Sequence, residues 1–131
     1  MILRIVVGLA LAGAVWSVAQ AQPTPTDEHQ RCLASAGRRA SAIAKCEQTD
    51  FRRADKTLND AYQQLVARTA ADKVGALDRA QRAWFNFRDS QCAYEASSAA
   101  GPTAPQVEAR CMRRLTELRT RDVQQMLRRD R

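Results

Sequence analysis

The sequence predicts an all-α fold, a small disulfide-stapled helical bundle with three long helices plus a short N-terminal helical segment. Three observations predict it. Beyond residue 28, apolar side chains recur at helical spacing and no stretch alternates with the period of two that a strand requires. Gly37, Gly75 and the Gly101-Pro102 pair punctuate that periodicity where turns are needed. All four cysteines, Cys32, Cys46, Cys92 and Cys111, follow an apolar leader, and an even count in a small exported chain reads as two disulfides with three possible pairings.

The leader comes first. Arg4 supplies a positive start, Ile5 to Val18 an apolar run, and Ala19-Gln20-Ala21 a small-x-small cleavage site, so residues 1–21 read as a signal peptide. An uncleaved anchor is the rival, but the run is short of the roughly 20 residues that a span needs, so no transmembrane span is expected after cleavage. Residues 22–27, rich in Pro and Thr, read as a linker, and 28–131 as one helical domain. Export to the periplasm or beyond follows.

The first helical segment is expected from about Glu28 to Cys46, broken at Gly37. Cys32 and Cys46 would be about 21 Å apart on one unbroken helix, too far for a disulfide, so pairing them requires the chain to turn back near Gly37. The second helix is expected from Glu47 to Ala70, with Thr49 or Asp50 as candidate caps. A turn is placed at 71–75. The third helix then runs to about Ser98 and carries two apolar faces, the second with Ala80, Phe87 and Tyr94, which suggests a central element contacted from two sides, or a self-association face. After the Gly101-Pro102 break, Pro105 suits the first turn of a last helix reaching Arg129, with Val107, Cys111, Leu115, Leu118 and Met126 facing inward. Cys92 and Cys111 lie nearly equidistant from that break, as a disulfide across a helical hairpin requires.

Charge narrows the function classes. The 131 residues carry a formal net charge of +7. In the cytoplasm such a balance suggests nucleic acid. For an exported chain nucleic acid is not expected, and the plausible anions are phosphorylated lipids, anionic polymers or an acidic protein. No metal is expected, because there is no C-x-x-C pair and His29 is the only histidine. Nucleophile-elbow and phosphate-loop motifs are absent too, so no cofactor and no catalytic residue is assigned.

The informative residues are polar ones on apolar faces. Asp55 sits among Phe51, Leu58, Tyr62, Leu65 and Val66, while Gln81 and Arg88 share a face with Val74, Leu77, Trp84, Phe85 and Cys92. Burying such groups is costly unless they meet partners, and an Asp55–Arg88 ion pair between adjacent helices is the simplest solution. Asn59 and Gln81 can bond backbone or one another, Tyr62 and Trp84 bring apolar area with a polar tip, and Asp89 can pair with Arg119 or cap a segment. On the last helix Arg110, Arg114, Arg121 and Arg128 align along one outward line, a candidate anion-binding ridge.

Two runs carry a family likeness: Ala54-Asp55-x-x-Leu58-Asn59-x-x-Tyr62, and Ala80-Gln81-x-x-Trp84-x-x-Phe87-Arg88-Asp89-x-x-Cys92, with Cys111, Thr116 and Arg119 after the Gly-Pro break. The chain thereby resembles the LprI-type lysozyme-inhibitor family of small exported bacterial helical proteins. The lipid-attachment cysteine of the name-giving protein is absent, so tethering does not carry over. The resemblance implies a non-enzymatic binding protein that occludes a lysozyme-type peptidoglycan hydrolase. The alternative is an envelope structural or ligand-binding protein using the arginine ridge on anionic lipid or polymer.

Overall fold

The computed structural model describes residues 26–129, which form four helices and one 3₁₀ turn with no strand among them. In chain order these are α1 (Asp27–Ala36), α2 (Ala40–Arg68), α3 (Ala71–Ser97), the 3₁₀ turn Gly101–Thr103, and α4 (Ala104–Arg129). The leader 1–21 and residues 22–25 of the expected linker lie outside the described residues. The rest of that linker is helix start: the Thr26 hydroxyl accepts the His29 amide at 3.2 Å, and Asp27 and Glu28 complement the positive end of α1.

Gly37 ends α1 in the left-handed region at φ 57, where a glycine avoids the Cβ penalty, and its amide bonds the Leu33 carbonyl. The break is short. Helix resumes at Ala40, so Cys46 lies inside α2 and the first segment does not extend to it. Thr49 and Asp50, candidate caps for a helix starting at Glu47, are interior residues of α2. The reversal folds α1 back on α2 and closes Cys32–Cys46 with Cα atoms 5.7 Å apart.

The turn between α2 and α3 also sits earlier than expected, at Thr69–Ala70 rather than 71–75. The Thr69 hydroxyl and amide donate to the Leu65 and Val66 carbonyls, at 2.8 and 3.1 Å, and both linking residues are extended. Gly75 is therefore interior to α3, at a cost of about 1 kcal/mol against alanine.

α2 and α4 run side by side in the same direction. Glu47 meets Arg113 at one end, while Leu58, Ala61 and Leu65 cluster with Val123 and Leu127 at the other. Many buried positions along these helices are small: Ala44, Ala54 and Ala61 on α2, and Ala109, Thr116 and Thr120 on α4. Small side chains let two backbones approach closely, which gives α4 its main contact to α2. α3 returns antiparallel and is stapled to α4 by Cys92–Cys111, Cα atoms 5.4 Å apart.

This arrangement corrects two expectations. The central element is α4, which packs on α2 and α3; α3 fully buries only Gln81, Arg88 and Cys92, and its second apolar face is uncovered among the described residues. The inward stripe of α4 is also shifted: Val107, Leu115 and Met126 are half-buried, Met126 against the core. Ala109, Arg113, Thr116, Thr120, Val123 and Leu127 join Cys111 inside, whereas Leu118 is exposed. The reason is the α2 seam, which selects small and hydrogen-bonded residues over leucines.

The apolar core is small, with Trp84, Leu77 and Met126 only partly buried around it, so covalent staples matter. Replacing Cys92 and Cys111 with serine should lower unfolding free energy by about 3 kcal/mol in urea titrations. Replacing Cys32 and Cys46 should instead leave α2–α4 cooperative and remove hydrogen-exchange protection mainly from α1, whose packing is against α2.

Candidate functional site

Arg88 organises the motif residues. Its Nη1 donates to Asp55 Oδ1 and to the Thr116 hydroxyl, each at 3.3 Å, and its Nε donates to Asp89 Oδ1 at 2.9 Å. The guanidinium carbon lies 5.3, 5.2 and 5.0 Å from the ring centroids of Phe51, Trp84 and Phe85. Arginine suits this role because its plane accepts ring faces while its edge donates to oxygens. The Asp55–Arg88 pair thus joins α2 to α3, and Thr116 ties both to α4. Asp55 is 36% exposed, so the pair forms at the rim of the interface with its carboxylate still reached by water.

The remaining motif residues spread around this centre. Asn59 donates to Asp55 Oδ2 at 3.4 Å and does not meet Gln81. Gln81 is buried and accepts from Arg119 Nε at 3.1 Å, with Arg119 also over the Trp84 ring. Asp89 is held by its neighbour Arg88, so the expected Asp89–Arg119 pair does not form. Tyr62 lies a turn beyond Leu58, where burial and then the Asp78 charge push its phenol above the ordinary value.

A second polar centre lies outside the motif. Glu47, 1% exposed, accepts from Arg113 Nε at 3.2 Å and from Arg110 Nε at 3.0 Å. His29 brings its ring nitrogens to 3.2 Å from Glu47 and 3.5 Å from Asp50, without hydrogen-bond geometry to either. Arg113 also stands 3.4 Å from Asp50 and donates to both oxygens of Glu117. On the outer side Arg53 and the Thr26 hydroxyl hold Asp50. Burial lowers the affinity of Arg113 for its proton, but Glu117 and Glu47 outweigh that and raise it overall. Burial raises Glu117 despite the opposing pull of Arg113.

Sequence analysis does not reach this centre, because Glu47 stands at the start of an expected helix and Arg113 interrupts no apolar stripe. Its signal was present: Ala44, Glu47, Ala54, Leu58, Ala61 and Leu65 recur along one face of α2. The ridge itself is not one free line. Arg110 is engaged by Glu47, and Arg114 donates to Glu95 of α3 at 2.9 Å. Arg121 lines a shallow cleft of about 310 Å³ with Asp50, Arg53, Thr57, Glu117 and Thr120, and Arg128 is exposed.

The sequence model of the family described as Lysozyme inhibitor LprI matches residues 32–123, from the first cysteine through both disulfides, the Arg88 centre and, Thr26 and His29 apart, the Glu47 centre. The chain belongs to the LprI lysozyme-inhibitor family. It is also similar to Uncharacterized protein R02472 of Rhizobium meliloti (strain 1021), 33% identical over 96 residues that cover 63% of this chain and 69% of that protein. No solved structure matches it.

Within the LprI frame, the buried or half-buried carboxylates Glu47, Asp50, Asp55, Glu95 and Glu117 are each held by an arginine. That arrangement locks helices together. Removing a partner from a buried pair leaves an uncompensated charge, so Arg113→Met should cost about 3–5 kcal/mol in chemical denaturation. Arg110→Met, at a half-exposed position, should cost under about 1 kcal/mol.

Glu117 makes a pH prediction. A raised folded value means that its contribution to stability is full below its ordinary value of 4.5 and is lost as pH rises through the raised one. Glu117→Gln removes that opposing slope. Stability should therefore climb more steeply with pH in the variant than in the parent just above pH 4.5, measured by thermal melts across buffers.

Proposed function

We propose that the chain is exported by its leader, folds as a single domain over 28–131 outside the cytoplasm, and binds and occludes a lysozyme-type peptidoglycan hydrolase without catalysing a reaction. The observation that carries this reading is the family match over residues 32–123, which spans the bundle except the first half of α1 and the last six residues of α4. Two disulfides support an oxidising, extracytoplasmic setting. No described helix is long and apolar enough to cross a membrane. The engagement of carboxylates by arginines supports binding over acid–base chemistry, which needs a free acid and base facing a cleft.

Electrostatics make the reading specific. The chain carries +7, and the common animal lysozymes are themselves basic, so the partners repel within about 10 Å at 0.1 M salt. Complex formation then depends on a contact that is not cationic, and screening helps it. Inhibition of a basic lysozyme should strengthen as salt rises from about 20 to 200 mM, measured by turbidity clearing of cell-wall substrate at each salt with an uninhibited control. Absence of inhibition at every salt removes this reading. Salt-sensitive binding to anionic vesicles without inhibition favours the anionic-envelope reading instead, carried by Arg121 and Arg128.

A further inference from the structure

Between Ala83 and Tyr94 the exposed positions of α3 are Ala83, Asn86, Phe87, Asp89, Ser90, Ala93 and Tyr94, and the one charge among them, Asp89 at the edge of the arc, is paired with Arg88. Such a run is unusual in a chain with 27% charged residues. Phe87 is 55% exposed and Tyr94 69%, and with Leu118 they are the large apolar side chains left in water among the described residues. Seven residues apart, they project to the same side about 10.5 Å from one another along the axis. Small residues flank both, so the rings stand proud of a low, uncharged ridge.

The ridge is rigid. Phe87 precedes Arg88, which is held by Asp55, Asp89, Thr116 and three rings. Tyr94 follows Cys92, which is bonded to Cys111. Exposed aromatics on a fixed backbone lose little entropy on binding, and aromatic anchors ringed by neutral contacts are the usual anatomy of a binding hot spot.

We propose that this arc of α3, with Phe87 and Tyr94 as anchors, is the surface that enters the saccharide cleft of a lysozyme-class hydrolase; the assignment rests on the inhibitor reading above. Charge selects the occupant. A cationic enzyme is repelled by the arginine-bearing surfaces of this chain and not by this arc, whose boundary residues Arg82 and Asp89 are each ion-paired, to Asp78 and Arg88. Shape agrees with charge: a convex helical ridge fits a groove, and ligand grooves are lined largely by apolar and aromatic side chains. The ring spacing is comparable to the length of a disaccharide, so the two anchors can occupy neighbouring sugar subsites.

The test compares the parent protein with a Phe87→Ser/Tyr94→Ser double variant against a panel of purified basic lysozymes, with sedimentation and thermal melts of both proteins. The parent is expected to inhibit at least one enzyme, in competition with a chitin oligosaccharide. The double variant should inhibit about tenfold or more weakly while melting at the parent's temperature. Equal inhibition by the two proteins overturns the α3 assignment and leaves the inhibitor reading standing. No inhibition by the parent overturns both. A parent dimer that the double substitution dissociates overturns the assignment by giving the arc to a second copy.

Discussion

Glu47 is the residue the fold cannot leave unpaired. Its side chain is almost wholly out of water, where a lone carboxylate carries a desolvation cost of several kcal/mol. The chain answers with Arg110 and Arg113 from α4. That single requirement fixes the relation of α2 to α4. It sets the height of α4 against α2, and the same height then brings Val123 and Leu127 to Leu58, Ala61 and Leu65 further along. The Gly37 reversal folds α1 back across α2, an arrangement that Cys32–Cys46 makes permanent.

Arg88 does for α3 what Arg113 does for α4. Each is a buried guanidinium reaching carboxylate and helix neighbours from two directions, but their settings differ. Arg113 sits among charges, with Glu47, Asp50 and Glu117 around it. Arg88 sits among rings, and its principal carboxylate keeps contact with water. The first centre therefore concentrates electrostatic risk, whereas the second combines modest ion pairing with aromatic packing. A bundle with few leucines inside needs both, since buried alanines and threonines contribute little apolar area.

Fold class, the four-helix count and the Cys92–Cys111 staple were legible because each follows from local periodicity, glycine placement and symmetric spacing. The Asp55–Arg88 pair was legible because both residues interrupt otherwise apolar stripes. What escaped was the choice of neighbours. Leu118 looked like a core position of α4 and is exposed, while the seam with α2 is built from Ala109, Thr116 and Thr120. Hydropathy ranks a leucine above a threonine, but close backbone approach ranks them the other way. Glu47 and Arg113 escaped for a related reason: each looks like a surface residue until its partner, more than 60 positions away, is placed beside it.

Internal pairing also shapes the outside. Arg110 and Arg114, which a helical wheel projects outward, turn sideways to Glu47 and Glu95, so the basic character of α4 is partly spent holding helices together. α3 contributes the opposite kind of surface. Its inner face takes the polar burden of Gln81 and Arg88, which leaves aromatic Phe87 and Tyr94 on the outer face with no helix of the described bundle over them. An amphipathic helix built by hydrophobicity alone would have the reverse arrangement. The inversion carries a standing cost, two aromatic rings in water, that no packing within the described bundle recovers. Only a contact with another molecule could recover it, and on α3 the ion pairs Arg82–Asp78 and Arg88–Asp89 leave the stretch around those rings without an unpaired cation.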